Sequence, residues 1–90
     1  MIGMDRYDSL ILEIIQTHKL KSPERKKIHL RKLEKTFWQE IETSGDLTIG
    51  QGRIGERITK LYVNGLIENK DGYGLTRKGR AQLSVLAQEN

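Results

Sequence analysis

Apolar residues recur near the start of the chain at the spacing that lines one face of a helix. The positions follow the i, i+3, i+4, i+7, i+8 pattern of an amphipathic helix, and they are Tyr7, Leu10, Ile11, Ile14 and Ile15. This pattern predicts a first helix over residues 5–20. Leu20 is its last apolar residue before a polar stretch.

A start signal for a second helix follows at Ser22-Pro23. Serine is a preferred N-cap, and proline is tolerated at the first helical position because the missing N–H has no partner there. We therefore predict a second helix over residues 23–43. One arc of its helical wheel carries Leu30, Leu33, Phe37 and Ile41. Ile28 points almost opposite to that arc, so either the helix is broken near residue 28 or Ile28 contacts another part of the chain.

The remainder predicts a third helix, a hairpin and a fourth helix. The third helix is expected over residues 51–64, with Gly65 as its terminator. A hairpin is expected over residues 66–76, because Asp71-Gly72 favours a two-residue type I′ turn with positive φ at both positions. Thr76 is a suitable cap for a last helix over residues 77–89. The predicted fold class is mainly α (α+β), in the order helix, helix, helix, hairpin, helix.

Length and composition bound the possibilities. Ninety residues without a cysteine predict one domain over residues 1–90, with no disulfide or thiolate metal site. No apolar run approaches the roughly 18 residues that a membrane-spanning helix needs. The first residues lack a basic flank followed by a long apolar stretch, so no signal peptide is predicted and a cytoplasmic location is expected.

Positive charge is concentrated in three segments of a chain with net charge +4. Residues 19–35 carry eight Lys or Arg against two acids, and residues 53–61 and 77–90 each have an excess of two cations. Such clusters attract polyanions, so a nucleic acid is the first partner to consider. A solvated helix face is the alternative interpretation of any single cluster, and attachment to a membrane surface is a weaker one.

The sequence gives little support to an enzyme, and no cofactor or metal is predicted. His18 and His29 are too far apart in sequence to suggest a metal site. The spacing of Gly50, Gly52 and Gly55 matches G-x-G-x-x-G, but it follows a helix instead of a strand and so fails as a dinucleotide motif. Trp38 is interpreted as a core residue in preference to a platform for base stacking.

The stretch RITKLYVNGLIENKDGYGLTRKG, residues 57–79, resembles winged helix-turn-helix regulators of the MarR, PadR and ArsR kind. In those families a recognition helix ends in a phrase like Leu61 to Ile67, and a hairpin called the wing leads into a phrase like Leu75 to Gly79. Residues 37–58 are similar to the upstream helix and turn of the PadR type. The chain departs from the families in its single wing-tip cation, Lys70, and in lacking a long C-terminal dimerisation helix.

The resemblance implies that the third helix enters the major groove of double-stranded DNA. Arg side chains there can bond guanine, Glu can accept a bond from cytosine, and Thr can contact the thymine methyl. The residues predicted to contact bases are Gln51, Arg53, Glu56, Arg57, Thr59 and Lys60. Those predicted to contact phosphate are Lys26, Lys27, Arg31, Lys70, Tyr73, Arg77, Lys78 and Arg80.

Sequence-specific binding of double-stranded DNA, in transcriptional regulation, is therefore the predicted function. A homodimer is expected, because one module of this size covers too little of a site for strong discrimination. The alternative is a winged-helix module that binds a protein in a larger assembly, which the modest wing charge and Glu56 favour. RNA binding is weaker, since the chain has five aromatic residues. The sequence indicates no particular small-molecule effector.

Overall fold

The computed structural model describes residues 5–22, 27–44 and 54–88, with side chains up to residue 85. These residues are mainly helical, with a small antiparallel hairpin, in agreement with the predicted α+β class. The element order is also the predicted one. The elements are α1 (Arg6–Lys21), α2 (Leu30–Ser44), α3 (Ile54–Val63), β1 (Ile67–Asn69), β2 (Tyr73–Leu75) and α4 (Arg77–Gln88).

Helix α1 begins at a capping box made by two aspartates. The Asp5 carboxylate accepts a hydrogen bond from the Asp8 N–H at 3.0 Å, and the Asp8 carboxylate accepts one from the Asp5 N–H at 3.3 Å. The two carboxylates thereby satisfy backbone donors that lack a partner within the helix. At the other end, the Ser22 N–H donates to the His18 carbonyl at 2.9 Å.

Residues 27–29 are not helical and α2 begins at Leu30, so the predicted second helix does not run continuously from residue 23 to residue 43. Residues 23–26 lie outside the described residues. Ile28 forms an antiparallel bridge with Tyr73, in which the two N–H···O bonds measure 3.0 and 2.7 Å. Ser22, predicted as the cap of the second helix, is instead the C-cap of α1. This bridge confirms the alternative that Ile28 contacts another part of the chain, and it explains why Ile28 departs from the apolar arc of α2.

The sequence predicted Gly65 as the terminator of the third helix, and α3 ends at Val63, two residues before it. Gly65 has φ of 76°, a left-handed conformation that glycine adopts without strain. Its N–H donates to the Tyr62 carbonyl at 3.0 Å, and the Leu66 N–H donates to the Leu61 carbonyl at 2.9 Å. This pair of bonds is a Schellman motif. It reverses the chain and sends it directly into β1.

The hairpin pairs β1 with β2, with Ile67 opposite Leu75 and Asn69 opposite Tyr73. Asp71 and Gly72 both have positive φ, at 58° and 120°, as the sequence predicted. The connection, however, contains three residues between the last paired positions, Asn69 and Tyr73. The prediction of a two-residue turn at Asp71-Gly72 is therefore wrong. Lys70 is the additional residue, and its N–H donates to the Gly72 carbonyl at 3.1 Å.

Helix α4 begins against the end of α3. Thr76 caps it, because its Oγ1 accepts a bond from the Gly79 N–H at 3.0 Å and donates one to the Gly65 carbonyl at 2.5 Å. Gly79 is required by space, since a Cβ at this position would lie 2.0 Å from the Leu66 carbonyl oxygen. The backbone of α4 therefore packs directly on the backbone that follows α3.

One apolar cluster joins all the elements. Phe37 and Leu33 of α2 are fully buried with Ile11 and Leu12 of α1, and the apolar stripe of α3 and the first strand complete the cluster. Trp38 is half-buried and packs edge-on against Phe37, with ring centroids 5.2 Å apart. Within the part of the chain that the structure describes, no helix is both long and apolar enough to cross a membrane.

Candidate nucleic-acid interface

Three of the predicted DNA-contacting residues, Lys26, Gln51 and Arg53, lie outside the described residues. The others fall into three groups in the structure. One group lies on α3, one surrounds the tip of the hairpin, and one lies at the start of α4.

Two predicted base-contacting residues of α3 are held by α1. Arg57 Nη1 lies 2.7 Å from both carboxylate oxygens of Asp5 and 3.2 Å from Asp8 Oδ1. Lys60 Nζ bonds to the other oxygen of Asp8. The Asp8 carboxylate is fully buried. The charged groups of Arg57 and Lys60 thus have acidic partners inside the protein, and their contact with bases stays a prediction.

Electrostatics stabilise the charged forms of Asp5 and Arg57. Partial burial acts to raise the pKa of Asp5, but hydrogen bonds from Arg57 and from backbone N–H groups, with the charge of Arg57, outweigh it and lower the pKa. Burial likewise acts to lower the pKa of Arg57, and the two aspartates outweigh it and raise the pKa. The guanidinium carbon of Arg57 also lies 5.0 Å from the centroid of the Tyr7 ring, within cation–π distance.

The solvent-facing side of α3 carries the other two predicted base-contacting residues in the described range. Glu56 and Thr59 are both exposed. Further along the same side, Tyr62 is 54% exposed and Val63 is 75% exposed. In its described part, α3 therefore presents an acid, a hydroxyl and two apolar side chains to solvent.

Cations from two distant segments meet at the tip of the hairpin. Lys27 Nζ donates a 2.9 Å hydrogen bond to the Lys70 carbonyl across 43 positions of sequence. Arg31 lies in the first turn of α2, three residues after the bridge at Ile28, and is exposed, as is Lys70. We call Lys27, Lys70 and, by its place in the chain three residues after the bridge, Arg31 the hairpin-tip surface. Tyr73 lies beneath it, half-buried against the core.

The predicted phosphate contacts at the start of α4 include two cations with partners in the protein. Lys78 Nζ donates to the Asn64 carbonyl at 2.9 Å, and Arg80 Nη1 donates to the Leu75 carbonyl at 3.2 Å. Lys78 thus stabilises the C-terminal end of α3, where a positive charge is favourable. Lys78 and Arg80 nevertheless remain exposed and keep further N–H donors, so their predicted phosphate contacts stay predictions. Arg77 is exposed.

The sequence interpretation missed the role of Asp5 and Asp8. Their spacing before an apolar run is the signature of a capping box and could have drawn attention to them. It could not have shown that the same carboxylates reach α3, because those partners are 49 and 52 positions away.

A groove of about 410 Å³ separates α1 from α2. Its charged lining combines the acids Glu13 and Glu40 with Lys21 and Lys32, above an apolar floor. Because acids and lysines balance there, the groove does not attract polyanions in the way that the hairpin-tip surface does. Among the residues that the structure describes, no three His, Asp or Glu side chains are grouped as metal ligands would be.

Comparison with known proteins adds no family assignment. The chain matches no protein-family model, no curated protein and no solved structure.

Proposed function

We propose that this chain is a winged helix-turn-helix protein of the cytoplasm that binds double-stranded DNA with sequence preference and regulates transcription as a homodimer. The hairpin is the wing, and α3 is the helix that enters the major groove. The observation that carries the proposal is the hairpin-tip surface, where cations from two distant segments converge beside the hairpin.

Phosphate contact at this surface is supported by its local electrostatics. Arg31 lies in the first turn of α2, and that turn contains no acidic residue. The N-terminal end of a helix carries partial positive charge, so a cation there raises the local potential further. Lys27 donates to a carbonyl yet keeps its charge, and an ammonium group has three donors, so it can bond phosphate as well. The surface thus fits a polyanion.

Base contacts in this proposal come from the start and the solvent-facing side of α3. Glu56 and Thr59 are exposed and can meet cytosine N4 and a thymine methyl. Gln51 and Arg53 complete the proposed set from sequence alone. The Schellman motif at Gly65 and the packing of Gly79 on Leu66 fix how α3 and the wing lie relative to each other.

Titration with duplex DNA at several salt concentrations tests the proposal. Neutralising one phosphate contact reduces the slope of log affinity against log salt by about 0.9. We expect that reduction for Lys70→Met and for Arg31→Met, since methionine retains an apolar stem without charge. Lys21→Met, which removes an exposed cation at the end of α1, is the matched control and should leave the slope unchanged. Absent binding, or binding without salt dependence, contradicts the proposal.

A second function, docking onto a protein, is favoured by one observation. The described part of α3 exposes Tyr62 and Val63, and its two cations are held by Asp5 and Asp8. Aromatic and apolar side chains are suited to the centre of a protein interface. Under this alternative, Val63→Asp abolishes capture of a co-purifying protein partner, and the parent protein shows no affinity for duplex DNA. Duplex binding that tolerates Val63→Asp favours the first proposal.

A further inference from the structure

The most deeply buried charge in the described structure connects the first helix to α3. Asp8 is fully buried, and both of its carboxylate oxygens have partners. Oδ1 accepts from Arg57, while Oδ2 accepts from Lys60 and from the Asp5 N–H. A buried carboxylate is tolerated only with such compensation. The arrangement therefore makes Arg57 and Lys60 necessary to Asp8 inside the protein.

The spacing of its partners lets Asp8 set the rotation of α3. Arg57 and Lys60 are three residues apart and lie on one flank of the helix, beside the buried stripe. One carboxylate that bonds both of them fixes this flank against α1. Glu56 and Thr59, which lie on the solvent-facing side, are oriented as a consequence.

From this geometry we infer that Asp8 is a positioning residue for DNA recognition. It holds Arg57 and Lys60 away from the phosphate backbone and presents the solvent-facing side of α3 to the bases. The inference rests on the proposed function. Its physical basis is that a cation on phosphate adds affinity for every sequence alike, whereas base contacts add affinity for one. Holding two cations inside the protein therefore raises sequence discrimination at the expense of general affinity.

The direct test is Asp8→Asn, which keeps the shape of the side chain and removes its charge. In a variant shown to be folded by circular dichroism, Lys60 becomes available to phosphate, whereas Arg57 remains bonded to both carboxylate oxygens of Asp5. The salt slope is then expected to steepen by about 0.9, the value for one added phosphate contact. The ratio of affinities for a selected and a scrambled duplex should fall about tenfold or more. A folded variant with the parental slope and ratio overturns the inference.

A second pair of variants avoids the risk that Asp8→Asn does not fold. Lys60→Met leaves Asp8 paired with Arg57, and the inference expects the parental salt slope because Lys60 does not touch DNA. Lys70→Met, the matched change on the hairpin-tip surface, is expected to reduce the slope by about 0.9. A reduction of that size for Lys60→Met overturns the inference.

A measurement without DNA separates this inference from the proposed function. In urea unfolding, a double-mutant cycle of Asp8→Asn and Lys60→Met measures the coupling between the two side chains. We expect the effect of Asp8→Asn on the unfolding constant to be about fivefold smaller when Lys60 is already methionine. Independent effects overturn the anchoring of α3 by Asp8, whether or not DNA binds. Strong coupling in a protein that does not bind duplex DNA refutes the proposed function, and with it the role of Asp8 in recognition.

Discussion

Helix α3 is held at two junctions that differ in chemistry. Along its flank, the charged junction joins Arg57 and Lys60 to Asp8 of α1 and to Asp5, the N-cap of that helix. At its C-terminal end, the backbone junction packs the turn at Gly65 and Leu66 against Thr76 and Gly79. The first depends on ionisable side chains and can be altered by protonation or by a competing charge. The second depends on close backbone contact and permits almost no change in size.

Gly79→Ala is expected to have the largest effect, because it places a methyl group 2.0 Å from the Leu66 carbonyl oxygen and the nearest atoms it meets are all backbone. Forced overpacking of this kind costs about 3 kcal/mol of the free energy of unfolding, measurable by urea denaturation. Gly55→Ala is the matched control, since a Cβ there has nothing within 4 Å. Within α3 that change should stabilise the protein by about 0.5 to 1 kcal/mol. Similar results for both glycines would contradict the close contact.

Asp8→Ala is expected to have the second largest effect and to lower the free energy of unfolding by about 2 kcal/mol. Removing one member of a buried ion pair costs about 3 to 5 kcal/mol, and the value is reduced here because the side chains of Arg57 and Lys60 remain 20% and 38% exposed. Asp5→Ala is the comparison within the same junction, and its loss should be smaller because the Asp5 carboxylate is half exposed. Equal losses would show that burial does not distinguish the two aspartates.

Thr76→Val keeps the shape of the side chain but removes the N-cap bond from the Gly79 N–H. It should therefore lower the free energy of unfolding by about 1 kcal/mol. The bond from Thr76 to the Gly65 carbonyl is lost with it. Thr76→Ser retains the hydroxyl, and its free energy of unfolding is expected to lie within about a few tenths of a kcal/mol of that of the parent protein. Equal stability of the serine and valine variants would contradict the assignment of the effect to the hydroxyl group.

The smallest expected effect is a pH dependence confined to the charged junction. Because the pKa of Asp5 is lower in the folded protein than in the unfolded chain, its contribution is present above the unfolded pKa of about 3.9. That contribution is lost as the pH falls through the folded pKa. The difference in stability between the parent and Asp5→Asn should therefore shrink below about pH 4. The same pH change should leave the difference between the parent and Thr76→Val unaltered.

The two junctions also differ in how much of them the sequence predicted. Gly65, Asp71-Gly72 and Thr76 identified the end of α3, the positive φ values of the hairpin and the cap of α4, because turn and cap preferences are local. Ile28 was recognised as anomalous, but its bridge to Tyr73 was not foreseen, since nothing near it in sequence specifies that partner.

The charged junction could not be predicted, because ion pairs between α1 and α3 depend on tertiary packing. A cation on a helix has the same appearance in sequence whether it meets a phosphate or an aspartate. The structure supplies internal acids for Arg57 and Lys60 and carbonyls for Lys78 and Arg80. Lys27 likewise donates to a carbonyl, and Arg31, Lys70, Lys78 and Arg80 are all exposed.

Sequence preference is the central claim, and competition between duplexes tests it most directly. After selection from a random pool, the parent protein is titrated with the selected duplex and with a scrambled duplex of the same length and composition, at one salt concentration. We predict that the selected duplex binds more tightly by a factor of about 1,000 or more. Equal affinity for the two duplexes would contradict sequence-specific recognition by α3.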